Sequence, residues 1–265
     1  MQKLTKIKEI IRFLEEKAPL QWQESFDNCG LQVGDTEQNT IGVLTALDFS
    51  LTVLEEAVQK NCNLIIAHHP LILKHPLKQI SPDTAVGQLI FYAIEHRLCL
   101  YAMHTNLDKA PFGVSNIIAK RLGLINLSIL LPDTLNPHTG LGMTGELKKN
   151  QTFEHFLNHL KKELHLNGLK YKKNHDRPVS KIAVCGGSGA FLIGQAELQQ
   201  ADVLVTGDLK YHDYLEAATS LNLVDIGHFE SEVLVKDIIF NMVSKNFSNF
   251  ATSKSEKEFS LIRYY

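Results

Sequence analysis

The sequence predicts an α/β protein of two lobes with largely parallel sheets, the second lobe inserted in the first. Three observations carry that prediction. Short apolar runs alternate with stretches of helical periodicity along most of the chain, as in parallel sheets flanked by helices. The run Leu64–Ala67 is apolar at every position, the signature of a strand buried on both faces. Residues 131–140 (LPDTLNPHTG) interrupt the alternation with Pro, Asn, Thr and Asp, which marks a boundary between lobes.

The elements follow in order. At the N-terminus Leu4, Ile7, Ile10, Ile11 and Leu14 share one helical face between Lys and Glu residues. That is an amphipathic core helix over residues 1–17, not a signal peptide. Strands are expected at 41–47, 63–67, 99–103, 142–147, 181–185, 203–206 and 223–226. Helices are expected between and after them, at 51–60, 84–96, 113–122, 153–164, 191–199, 210–220 and 233–245. A second crossing near 221–225 completes the plan: residues 1–130 form the first lobe, 131–222 the inserted lobe, and 223–265 return to the first. The last helix has Val233, Leu234, Ile238, Ile239, Met242 and Val243 to bury against that first lobe. No fixed-period repeat or low-complexity tract occurs.

Composition narrows the function. The chain has 265 residues, 44% hydrophobic and 21% charged, with a net charge of −2, values of an ordinary globular protein. It has no concentrated basic footprint, which argues against nucleic acid as a partner. No apolar run approaches membrane-spanning length, so no membrane association is expected. The four cysteines, Cys29, Cys62, Cys99 and Cys185, are widely spaced with no C-x-x-C pair. Cys62 and Cys99, beside predicted strands, read as small buried hydrophobes of a reducing, cytoplasmic compartment, and a disulfide or thiolate-zinc framework is not expected.

Three strand ends carry metal-ligand chemistry. The first runs into His68-His69-Pro70, the second into His104-Thr-Asn-Leu-Asp108, the third into Gly227-His228-Phe-Glu-Ser-Glu232. Ligands gather outside the carboxyl ends of the strands of an α/β sheet, so residues distant in sequence are expected to converge there. His228 and Glu232, four apart, fall on one face of a helix. The candidate ligands are His68, His69, Asp108, His228 and Glu232, with His104 in reserve. Imidazole and carboxylate without sulfur suit Zn, Fe, Mn, Co or Ni. Five such donors exceed the needs of one catalytic zinc and match two ions bridged by a carboxylate or hydroxide. On a regular strand the adjacent His68 and His69 point apart, so each is expected to serve a different ion.

Plainer readings stand beside these. With twelve histidines in the chain, adjacent pairs arise by chance, and His-x-x-x-Glu can be an ordinary exposed helix pair. His155, His159, His165 and His175 read as solvated helix or loop residues. The glycine-rich Val184-Cys-Gly-Gly-Ser-Gly189 could cradle a phosphate, but it lacks the P-loop lysine and equally suits a tight turn. Asp208 could cap the following helix. His212 is a candidate rim acid or base, and Ser188 lacks the context of a nucleophile elbow.

The residues also resemble a known family. Glu24-Ser-Phe-Asp-Asn-Cys-Gly-Leu-Gln-Val-Gly34 is similar to its W/F-D-N-x-G-L-x-x-G signature. Ala67-His-His-Pro70, His104-Thr-Asn-Leu-Asp108, Thr206-Gly-Asp208 and Gly227-His228 with Glu232 follow in the same order. This is the Nif-three-like family, commonly labelled GTP cyclohydrolase 1 type 2 homologues. The resemblance implies two α/β lobes, a dinuclear metal site and a toroidal homohexamer made from dimers. It implies His68, His69, Asp108, His228 and Glu232 as the ligands of two divalent cations, with His104 nearby. The expected function is a metal-dependent hydrolase acting on a nucleotide or related phosphate or heterocycle through metal-activated water. His104 or His212 would move protons. The alternative is a metal-binding toroidal scaffold without turnover.

Overall fold

The computed structural model describes residues 4–73 and 77–263. Along these residues the strands are β1 (Gly30–Val33), β2 (Gly42–Ala46), β3 (Leu64–Ala67), β4 (Cys99–Ala102), β5 (Ile125–Pro132), β6 (Gly140–Gln151), β7 (Lys170–Lys172), β8 (Val179–Ser188), β9 (Val203–Gly207), β10 (Asn222–Asp225) and β11 (Ala251–Lys254). The helices are α1 (Ile7–Lys17), α2 (Leu51–Gln59), α3 (Ala85–Glu95), α4 (Thr105–Asp108), α5 (Val114–Arg121), α6 (Phe153–Glu163), α7 (Ile193–Leu198), α8 (Tyr211–Glu216), α9 (His228–Glu232) and α10 (Val235–Asn246). The α/β class read from the alternation is what the chain adopts. The seven expected strands are β2, β3, β4, β6, β8, β9 and β10. The other four, β1, β5, β7 and β11, end their sheets; β1, β7 and β11 are short edges of three or four residues without an apolar run, while β5 (INLSILLP) is apolar and is not among the expected strands.

Two compact units make up the chain: Met1–Leu107 with Val235–Phe259, and Asp108–Leu234 with Ser260–Tyr265. In the first, the sheet order is β1-β4-β3-β2-β11. Strands β11, β2, β3 and β4 run parallel, and β1 closes the far edge antiparallel to β4. Every residue of β2, β3 and β4 is buried, as fits strands covered on both faces. Leu44, Val53, Leu54, Ile65, Leu98 and Leu100 belong to one core cluster; each such side chain is worth about 1.5–3 kcal/mol of burial. Ser50 caps α2 by accepting from the Val53 N–H at 3.3 Å, and Thr84 caps α3 by accepting from Gly87 at 3.0 Å.

In the second unit the order is β5-β6-β8-β9-β10-β7. Only β8, β9 and β10 run parallel; β5 with β6, β6 with β8, and β7 with β10 are antiparallel. The Pro- and Asn-rich segment that the sequence offers as a lobe boundary is the loop of the β5–β6 hairpin, inside this unit. Its composition signals a turn, and a hairpin turn uses the same residues as a linker. The change of unit comes instead at Leu107/Asp108 and Leu234/Val235. Helix α10 accordingly belongs to the first unit and buries Val235, Ile238, Ile239 and Val243. His228 and Glu232 lie in the second unit. The three strand ends expected on one sheet are therefore divided: β3 and β4 in one sheet, β10 in the other.

Candidate metal centre

In the first unit, β3 ends at Ala67 and the main chain bends. The N–H groups of His68 and His69 both donate to the Leu47 carbonyl, at 3.2 and 2.9 Å. Strand alternation stops there, so the rings do not point apart as a regular strand would have them. Their centres lie 5.1 Å apart. His104, just beyond β4, brings a third ring to 5.1 Å from His68 and 5.5 Å from His69. One ring nitrogen of each histidine lies within 4.8 Å of the others. His104, held in reserve by the sequence argument, is thus grouped with His68 and His69.

Each ring is fixed by a second partner. His68 Nδ1 lies 2.7 Å from the Met103 carbonyl, His69 Nδ1 2.7 Å from Asp48 Oδ1, and His104 Nδ1 2.9 Å from Asp27 Oδ1. In the neutral ring Nδ1–H donates in each case, which puts the ring's lone pair on Nε2. Histidine ligands are oriented in this way by carbonyl and carboxylate partners. Asp27, fully buried, also accepts the Thr105 N–H at 3.0 Å and the Thr105 hydroxyl. Burial opposes its charge, but the hydrogen bonds from His104 and Thr105 outweigh that and hold the carboxyl well below the usual range.

In the second unit His228 opens the short helix α9 and Glu232 closes it. His228 Nε2 is 2.8 Å from Glu232 Oε2, and the Glu232 side chain is 4% exposed. His228 Nδ1 lies 2.7 Å from Asp208 Oδ2, which also accepts from the Ser188 hydroxyl at 2.6 Å. Burial works against the Asp208 charge, yet Ser188 and His228 together keep its carboxyl below the usual range. Asp208 is therefore not the helix cap the sequence allowed. The N-cap of helix α8 is Lys210, whose N–H donates to Asp213 at 2.6 Å.

A glycine-rich bulged turn within the end of β8, where the register shifts between Val184 and Ser188, makes room for this pair. A Cβ on Gly187, where φ is +63°, would fall 2.2 Å from Glu232 Oε1 and 3.5 Å from His228 Cε1. The Gly187 N–H donates to Ser231 at 2.9 Å, and Ser231 donates to the His228 carbonyl at 2.7 Å. So the turn binds α9. Half-buried Asp108 ends α4. Burial pushes the Cys185 thiol up, and the charges of Asp108 and Glu232 push it further, so both carboxylates act on this corner of the unit.

The remaining candidates separate. His212 is exposed on α8 beside Tyr211. His155 and His165 are exposed as expected. Half-buried His159 and His175 are not solvated: their Nε2 atoms lie 3.0 Å from the Leu122 carbonyl and 3.2 Å from the Asp202 carbonyl. All four cysteines are free and buried. Sequence reasoning gave no part to Asp48, and Asp27 entered it only as the aspartate of the Glu24–Gly34 signature. A signal existed for Asp48, an acid just past an apolar strand, which is the placement that singled out His68.

Residues 5–260 match the model of a family described as Duf34/NIF3 (NGG1p interacting factor 3). A Clostridium perfringens protein named GTP cyclohydrolase 1 type 2 homolog is 37% identical over 236 residues, covering 87% of this chain and 89% of its own. One of the same name from Clostridium acetobutylicum is 35% identical over 230 residues, 86% of this chain and 85% of its own. The crystal structure of a Bacillus cereus protein related to NIF3 matches with a TM-score of 0.91 at 27% identity, over 100% of both chains.

Proposed function

The chain belongs to the Duf34/NIF3 family, and on that premise we propose that it is a hydrolase dependent on two divalent cations. Its ligands are His68, His69, Asp108, His228 and Glu232, and its substrate is a nucleotide or a related phosphate or heterocycle. The observation that supports this most is the backing of the rings: Asp48 behind His69 and Asp208 behind His228, each at 2.7 Å. A core histidine needs a partner for one nitrogen; a ligand needs that partner to leave the other nitrogen aimed and unprotonated. The donors are nitrogen and carboxylate oxygen, which fits Zn, Fe, Mn, Co or Ni. When bound, such ions supply Lewis-acid activation of water and of the electrophile.

The chain's own residues do the rest. Met103, Asp48 and Asp208 fix ring orientation, and Glu232 contributes a carboxylate that can bridge. His104, held at Nδ1 by Asp27, carries or accepts a proton at Nε2. The name borne by the clostridial relatives points to opening of a purine imidazole ring at C8; His104 would then protonate the departing nitrogen. Exposed His212 is left out of this scheme. Buried free cysteines support a cytoplasmic setting, and among the described residues no helix is long and apolar enough to cross a membrane. Assembly into a homohexamer belongs to the same proposal and is read by sedimentation of the purified chain.

The test is reconstitution with each cation, followed by a screen of nucleotides, phosphoesters and cyclic amides. Turnover lost on chelation and restored by one cation is the expected result. Turnover that persists without metal overturns the mechanism. Full metal loading with no turnover on any class leaves the scaffold reading in its place.

A further inference from the structure

We propose that Glu258 is a positioning residue for the His68–His69 turn, acting from the C-terminal segment through the backbone of Leu47 and Asp48. The inference rests on the metal-ligand reading of those histidines. Its support lies wholly within the first unit.

Strand β11 lies parallel to β2, with Ala251 opposite Gly42 and Lys254 opposite Thr45. Both strands therefore run toward the edge of the sheet where β3 delivers His68. The ladder ends when the Ser255 N–H donates to the Thr45 carbonyl at 2.8 Å. Beyond it, the N–H groups of Leu47 and Asp48 have no strand to bond. Glu258 Oε1 accepts both, each at 2.8 Å. On its other side the same peptide turn offers the Leu47 carbonyl to the N–H groups of His68 and His69. Asp48 then holds His69 Nδ1. One carboxylate thus fixes a turn that orients one ring directly and anchors the main chain of two.

Glu258 is itself held. Its side chain is 5% exposed, and Lys236 Nζ, on α10, lies 3.1 Å from Oε2. Lys236 also donates to the Ser255 carbonyl at 3.0 Å. Burying a carboxylate is costly unless it is paired and hydrogen-bonded. Here Lys236 supplies the charge pair at Oε2, which accepts no hydrogen bond of its own, and the Leu47 and Asp48 N–H groups supply the hydrogen bonds, both at Oε1. A carboxylate serving only to tie down the chain end has no need to gather these two amides.

The experiment compares Glu258→Ala, Glu258→Gln and Asp48→Ala with the unaltered full chain. In the metal-free protein, ring-nitrogen NMR of His69 and exchange of the His68 and His69 amides report the turn. Glu258→Ala should shift the His69 ring signals and speed exchange of both amides by tenfold or more. Glu258→Gln keeps an acceptor oxygen and should restore most of both signals. With cobalt as the probe, Glu258→Ala should weaken binding by about 10–100-fold. In the double variant with Asp48→Ala, the share of the loss that passes through the His69 ring should not add to that of Asp48→Ala alone, because both residues act on that ring. Glu258→Ala with unchanged His69 signals and amide exchange would overturn the proposal, whatever its melting temperature. If Glu258→Ala does not fold, unchanged ring signals in Lys236→Met, which removes the partner of the carboxylate, would overturn it. If the unaltered chain takes up no cobalt, the metal reading fails, while the NMR comparison still decides the role of Glu258.

Discussion

An imidazole ring can offer a cation either of two nitrogens, and at three positions of this chain an aspartate removes the choice. Asp27, Asp48 and Asp208 each engage Nδ1 of a histidine, at 2.9, 2.7 and 2.7 Å. Their consequences differ with what the ring then does. His68→Ala deletes a proposed ligand, so metal and activity should fall together while the fold persists. His104→Ala should keep most metal but lose activity by about a hundredfold or more if the ring moves protons. Paired metal titrations and rates decide it, and equal metal loss in both variants would make His104 a ligand. Asp27 adds a pH signature. A carboxyl held low in the folded state adds stability that is complete above its unfolded pKa of about 3.9 and vanishes as pH falls through the lower folded value. Asp27→Asn also turns an amide toward the Thr105 N–H, costing about 1–3 kcal/mol near neutrality. Urea unfolding at pH 6 and pH 3 should show the gap between wild type and variant shrinking in acid.

At the scale of elements, the bulged turn within the end of β8 shows how a backbone position shapes a donor pair. Gly187→Ala places a methyl 2.2 Å from Glu232 Oε1 at a φ of +63°, so α9 must move or Glu232 must turn away. Gly194, in α7, has nothing within 4 Å of an added Cβ, and alanine there favours the helix by roughly 0.5–1 kcal/mol. The prediction is a loss of both melting temperature and metal affinity for Gly187→Ala, against a neutral or slightly raised melting temperature and unchanged affinity for Gly194→Ala. Calorimetry with metal titration of the two proteins tests it. This turn was legible in the sequence only as glycine and a strand end. Phosphate binding was the sharper reading because nothing in VCGGSG names the carboxylate it accommodates. Buried strands such as β3 announce themselves by composition, and the His-His pair announces a site. Edge strands such as β11 (ATSK) do not, since one side of an edge is solvated. Asp27 stands in the Glu24–Gly34 signature, but its role behind His104 is not legible there, because its partners His104 and Thr105 lie more than seventy-five residues away.

For the whole molecule the question is whether donors in two compact units answer to one event. His68, His69 and His104 belong to the first unit, and Asp108, His228 and Glu232 to the second. If the five proposed ligands share two ions, cation binding must stabilise both units in one transition. At a free cation concentration near a thousand times Kd, binding adds about 4.1 kcal/mol per site. For a chain approaching this size each kcal/mol is worth roughly 2–4 °C, so zinc should raise the unfolding temperature of the whole protein by about 10 °C or more. His69→Ala, in the first unit, and Glu232→Ala, in the second, should each abolish most of that rise for the entire transition. Elemental analysis should fall from two equivalents toward one or none in both. The competing arrangement predicts something different in the same calorimeter. If each unit held its own ion, Glu232→Ala would leave the zinc-dependent rise of the first unit intact and split the transition in two. A single transition that loses its zinc dependence with either substitution is what the proposed dinuclear centre requires.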